Sequence, residues 1–65
     1  MEKEINGFTI TELTACARRE VACRKRVYRR WVKEGRMKEA DAEHEIDMMR
    51  AIAEHFEDMK EPKLF

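Results

Sequence analysis

The sequence predicts an all-α fold: an antiparallel two-helix hairpin that pairs with a second copy to close a four-helix bundle. Three observations carry that expectation. Apolar residues recur at helical spacing along two long stretches. Gly35, one of only two glycines, falls between them where a helix stop is needed. Charged and hydrophobic residues each make up 43% of the chain, with a single proline, a balance that suits amphipathic helices and is too apolar for disorder.

Sixty-five residues make one domain. A chain of this size buries only about 60% of the surface its unfolded form exposes, so its core is marginal. Folds this small usually recruit a disulfide, a metal or a partner subunit. Cys16 and Cys23 lie seven apart on one predicted helix. Their Cα atoms are then ~10 Å apart at a rise of 1.5 Å per residue, too far for a bridge. Both read as reduced core cysteines of a cytoplasmic protein. No apolar run approaches ~18 residues and no signal peptide is visible, so a soluble chain without a membrane segment is expected.

Residues 1–8 read as a mobile leader. Asn6-Gly7 is a turn signal, but its flanks are too short to establish a hairpin. Thr9 followed by Glu12 forms a capping box, and Phe8 with Leu13 occupies the staple positions across it. Helix 1 therefore spans about 9–34. Its apolar stripe runs through Ile10, Leu13, Cys16, Ala17, Val21, Cys23, Val27, Tyr28, Trp31 and Val32, wide enough for more than one partner helix. Gly35 ends it, and the turn covers 35–37.

Helix 2 covers about 38–61, without a good N-cap but with Glu39, Asp41 and Glu43 in its first turns. Ala42, Ile46, Met49, Ile52, Ala53, Phe56 and Met59 make its apolar stripe, with Met48 on the flank. Pro62 marks its end and leaves 62–65 as a short tail. The stripes continue beyond the hairpin seam through Cys16, Cys23, Met48, Ile52 and Met59, and a symmetry mate would cover that flank. A homodimer is expected on this ground.

Charge divides the hairpin. Arg18, Arg19, Lys25, Arg26, Arg29, Arg30 and Lys33 line the outer face of helix 1, and Arg36 follows in the turn. Glu39, Glu43, Asp47, Glu54, Glu57, Asp58 and Glu61 line that of helix 2. Three charges interrupt the apolar stripes: Glu20 and Arg24 in helix 1 and Glu45 in helix 2. Residues whose numbers sum to about 69 face each other across the hairpin, which sets Arg24 against Glu45. An inward Glu20–Arg24–Glu45 cluster is the simplest arrangement, specifying register, and if buried it makes Arg24→Ala cost ~3 kcal/mol or more.

Little in the chain points to chemistry. His44 and His55 are eleven residues apart, ~16 Å along a helix, and neither has a Cys or His at i+3 or i+4 to complete a zinc half-site. No cofactor, metal or catalytic residue is assigned, and the chain is not read as an enzyme. The basic row is the sharper signal, because such a row displaces counterions from a nucleic acid. Against that, net charge is zero and helix 2 is acidic. The two rows also suit oriented docking on a charged protein partner.

The segments Cys16-Ala17-Arg18-Arg19-Glu20-Val21, Val27-Tyr28-Arg29-Arg30-Trp31-Val32, Gly35-Arg36-Met37 and His44-Glu45-Ile46 resemble a group of small bacteriophage and prophage proteins of unassigned function. The resemblance covers about Leu13 to Ile52. It departs at Arg29, where relatives often carry proline, so their first helix would kink where this one runs straight. It implies a mobile-element setting in the cytoplasm of a bacterial host. Proteins of that group and size often bind and block host machinery, including defence complexes. The function implied is therefore a phage-type accessory protein that binds a host protein, an inhibitor of the anti-CRISPR kind. Nucleic-acid binding through helix 1 is the first alternative and a structural assembly subunit the second.

Overall fold

The computed structural model describes residues 2–60, in the order β1 (Glu4–Ile5), β2 (Phe8–Thr9), α1 (Ile10–Lys33) and α2 (Glu39–Lys60). The expected tail 62–65, and Glu61 of the acidic row, lie outside the described residues. The two helices pack against each other as a hairpin, and two short strands precede them.

Those strands replace the expected mobile leader and make the fold something more than all-α. Asn6 and Gly7 adopt φ values of 54° and 83°, the pair of positive angles that a tight two-residue hairpin turn requires. Glu4 then pairs with Thr9 and Ile5 with Phe8. Two residues per strand are too few to hold alone. What completes the unit is docking on the start of α1. The Ile10 N–H donates to the Lys3 carbonyl at 3.0 Å, and the Glu2 carboxylate accepts from the Thr11 N–H at 2.6 Å and from the Thr11 hydroxyl.

Thr9 caps α1 as its sequence indicates. Its hydroxyl accepts the Glu12 N–H at 3.1 Å, and the Glu12 carboxylate takes the Thr9 N–H at 3.2 Å. Glu2 therefore adds a second carboxylate at the positive end of the helix. The hydrogen bonds from Thr11, hydroxyl first and backbone second, hold its pKa below the usual carboxylate value. A depressed folded-state pKa gives stability that is present above the unfolded pKa and is lost as pH falls through the folded one. Glu2→Gln is accordingly expected to flatten the loss of stability as pH falls below the ordinary carboxylate range, read from urea midpoints at neutral and acid pH.

At the other end, α1 closes with a Schellman motif. Gly35, at φ 75°, donates its N–H to the Val32 carbonyl at 3.1 Å, and Arg36 donates to Trp31 at 2.8 Å. The side-chain contact that usually accompanies this motif is here a cation on a ring: the Arg36 guanidinium lies 5.3 Å from the Trp31 centroid. α2 starts one turn later, with the Lys38 carbonyl accepting the Ala42 N–H at 3.0 Å. α1 itself runs unbroken through Arg29.

The core is thin. Among the described residues Ile10, Ala17, Val21, Ala42 and Ala53 are its buried apolar residues, and Met49 packs against Ala17, Val21 and Ala53. Three of the five are alanines, so the helices approach closely while burying little apolar area per residue. Thr14 is buried on the same stripe, and its hydroxyl has no hydrogen-bond partner among the described residues. Thr14→Val removes that orphan at nearly constant shape and is expected to raise stability by about 1 kcal/mol, measurable by urea titration.

Cys16 corrects the expectation of two core cysteines. It is exposed while Cys23 is half-buried, and both are free thiols. Cys16 precedes Ala17 by one residue, which turns it about 100° away from the seam. No helix among the described residues is long and apolar enough to cross a membrane.

Candidate functional site

Two ion pairs define the sides of the hairpin. On one, Arg18 donates from Nε and Nη2 to the Glu57 carboxylate at 3.0 and 2.5 Å. These two residues were expected on separate outer faces, and the fold joins them across the interhelical edge. Nearer the turn, the same edge opens into a groove where Lys25, Arg29 and Lys33 stand beside Glu39 and Glu43, with Val32 between them. Part of the basic row thus meets part of the acidic row.

On the other side, Arg24 sits between two carboxylates. Its Nε donates to Glu20 at 2.9 Å, while Nη1 donates to the Glu45 carbonyl at 3.1 Å and lies 3.6 Å from the Glu45 carboxylate. The hydrogen bond to Glu20 raises the Arg24 pKa further above its ordinary value, so the residue is always charged. The cluster is not buried, however. Side-chain exposure is 24% for Arg24, 46% for Glu20 and 41% for Glu45.

Water therefore reaches both acids once the arginine is gone. Arg24→Ala is expected to cost about 1–2 kcal/mol, in place of the ~3 kcal/mol or more of a buried cluster. Chemical denaturation of Arg24→Ala beside Arg24→Met separates lost charge from lost packing, and a loss above about 3 kcal/mol in both would restore the buried reading.

Around this cluster the surface is apolar. Met48 and Ile52 are 41% and 46% exposed, and Cys16 is exposed too. Leu13, Cys23, Val27, Phe56 and Met59 are half-buried. At the strand end Phe8, 53% exposed, joins Leu13 and Cys16 around a shallow depression. Near the turn, Tyr28 and Trp31 stack with centroids 5.5 Å apart, and both are half-buried. Arg24 lies 6.0 Å from the Tyr28 centroid, so an arginine flanks each end of the stack.

The basic row, the paired Arg18 and Arg36 included, is exposed, in the groove as well as outside it. Arg19, Lys25, Arg26, Arg29, Arg30 and Lys33 are exposed and form no ion pair among the described residues. Arg36 pairs with Glu34 at 3.4 Å, and Asp47 with Arg50 at 3.2 Å. Glu39, Glu43, Glu54 and Asp58 are exposed. His55 packs edgewise near Phe56 with centroids 6.0 Å apart. Among the described residues, no group of three His, Cys, Asp or Glu side chains could hold a metal ion.

Sequence reasoning placed Phe8 beside Leu13 at the helix start but missed Glu2, whose carboxylate accepts from Thr11. The signal that could have found it is Asn6-Gly7, which folds the chain before it back onto α1. Comparison adds no relative: no protein-family model, no curated protein and no solved structure matches the chain.

Proposed function

We propose that the chain is a phage-type accessory protein that binds a host protein in the bacterial cytoplasm and inhibits it, without catalysing a reaction. The observation that carries this reading is the mixed surface near the turn. There Arg24 and Arg36 flank the half-buried Tyr28–Trp31 stack, and Arg29 and Arg30 of the same turns are exposed. Arginine and aromatic residues over an apolar patch are what protein interfaces favour as anchors. The phage setting rests on the resemblance of the Arg18-Arg19-Glu20, Arg29-Arg30-Trp31 and Gly35-Arg36-Met37 segments.

A second reading, nucleic-acid binding, draws on the unpaired outer row Arg19, Arg26, Arg29 and Arg30. Glu39 and Glu43 beside Lys25, Arg29 and Lys33 weigh against it, because they repel phosphates where the groove would meet them. The self-association that closes a four-helix bundle belongs to the proposal as well, supported by the exposed side of Met48, Ile52 and Cys16.

Affinity capture from host lysate, with and without nuclease, tests the choice. A protein recovered after nuclease treatment supports the first reading. Duplex binding by fluorescence anisotropy at two salt concentrations supplies the opposing arm. Sub-micromolar duplex affinity at ~150 mM salt, abolished by reversing Arg19, Arg26, Arg29 and Arg30 to glutamate, would replace protein binding with nucleic-acid binding.

A further inference from the structure

The apolar side of the hairpin calls for an occupant, and the charge of the helices indicates which one. α1 carries eight Lys or Arg against two Glu, and α2 carries eight Asp or Glu against one Arg and one Lys. Each hairpin is thus a basic rod beside an acidic rod. The geometry points to a second copy of this chain on the Met48–Ile52–Cys16 side, with α1 of each copy packed against α2 of the other. This inference rests on the self-association reading above and adds the order of the helices.

Two arrangements of a symmetric pair would cover the same side. A two-fold axis parallel to the helices sets basic α1 beside acidic α2 at every contact, within and between copies. An axis across the helices stacks α1 on α1 and α2 on α2, setting each basic rod on its like and each acidic rod on its like. Like-charge juxtaposition is the feature by which interfaces reject a wrong mode. The alternating arrangement also finds partners for charges that lack them. Arg30 and Asp41 are both exposed without an ion pair among the described residues. The pairings Arg24–Glu45 and Arg18–Glu57 set levels along the hairpin at which residue numbers sum to 69 and 75. Arg30 and Asp41 fall at one such level. By helical spacing both lie toward the outer rim of the apolar side, where an α1 and the facing α2 of a partner would meet.

Cys23 and Met48 fall at a common level too, both on the apolar side. Within one chain they project away from the seam, toward the partner. In the alternating bundle Cys23 faces Met48 of the other copy, at the 8–10 Å interaxial distance typical of packed helices. A thiol introduced at 48 could then bridge to it.

The test uses the full chain. Sedimentation at micromolar concentration comes first, and a species of twice the 7.8 kDa chain mass is expected. A well-folded monomer overturns self-association and this inference together. Cys16→Ser with Met48→Cys is then oxidised, and a covalent dimer that forms only when Cys23 is retained is the expected result. A covalent dimer from Met48→Cys in the absence of both native cysteines would mean α2 on α2, and it overturns the helix order while leaving the dimer intact. A dimer that gives no cross-link in either background overturns the order as well. Arg30→Glu supplies an arm free of thiols: it should weaken the dimer roughly tenfold, and Asp41→Arg in the same chain should restore it. No restoration counts against the alternating order.

Discussion

Ile10→Ala is expected to cost about 2–5 kcal/mol and to leave the chain at the edge of unfolding at room temperature. Ile10 is 0% exposed and is the one large side chain that the fold buries completely among the described residues. It also stands where three local structures meet. Its N–H closes on Lys3, it follows the Thr9 cap, and it opens the stripe Ile10–Thr14–Ala17–Val21. Truncation leaves a cavity beneath the strand hairpin, which cannot collapse without releasing the Glu2 and Lys3 contacts. In a domain whose total stability is about 3–5 kcal/mol, that loss is most of what there is. Phe8→Ala is the control, since Phe8 is 53% exposed and its loss should stay within about 0.5 kcal/mol. Urea melts followed by circular dichroism compare the two, and equal midpoints would show that the helix start is not where the core is anchored.

The limits of α1 were legible because short-range chemistry sets them. Thr9 with Glu12 fixes one end and Gly35 the other, and neither depends on the rest of the fold. Arg24 opposite Glu45 was legible for a related reason: an antiparallel hairpin with a tight turn has one simple register. The strand hairpin was not, because Asn6-Gly7 announces a turn while the contacts that hold it, from Glu2 and Lys3, are made to α1 and not between strands.

The sides of the hairpin were harder still. A helical stripe shows which residues can be buried, but a single partner helix covers only part of it. The stripe nonetheless set the flank: Cys16, Met48 and Ile52, expected beyond the seam, are exposed, while Ala17, Met49 and Ala53 lie at it. What it did not show is that Cys16 leaves the core altogether. Arg18 and Glu57 were assigned outward for the same reason. Long side chains at a seam's edge reach across it, and that reach depends on how closely the helices approach.

That approach is set by alanine, and Ala53→Leu is expected to be the substitution that tests it. Ala53 is 0% exposed and packs against Ala17 and Val21, with Met49 alongside. Three added carbons have no room unless α1 and α2 separate or Val21 and Met49 leave their rotamers. Overpacking of this kind costs roughly 1–3 kcal/mol, a large share of the stability of so small a domain. Separation has a further consequence, because it draws Arg18 away from Glu57 and Arg24 away from Glu45. The substitution should then make Arg24→Ala less costly than it is in the unmodified chain, a coupling that a double-mutant cycle reads directly. Ala51→Leu adds the same atoms at an exposed position two residues away and should change stability by no more than about 0.5 kcal/mol. If Ala53→Leu behaves like Ala51→Leu, and the cost of Arg24→Ala is unchanged in its presence, the seam is looser than its burial implies and alanine does not set the spacing of the helices.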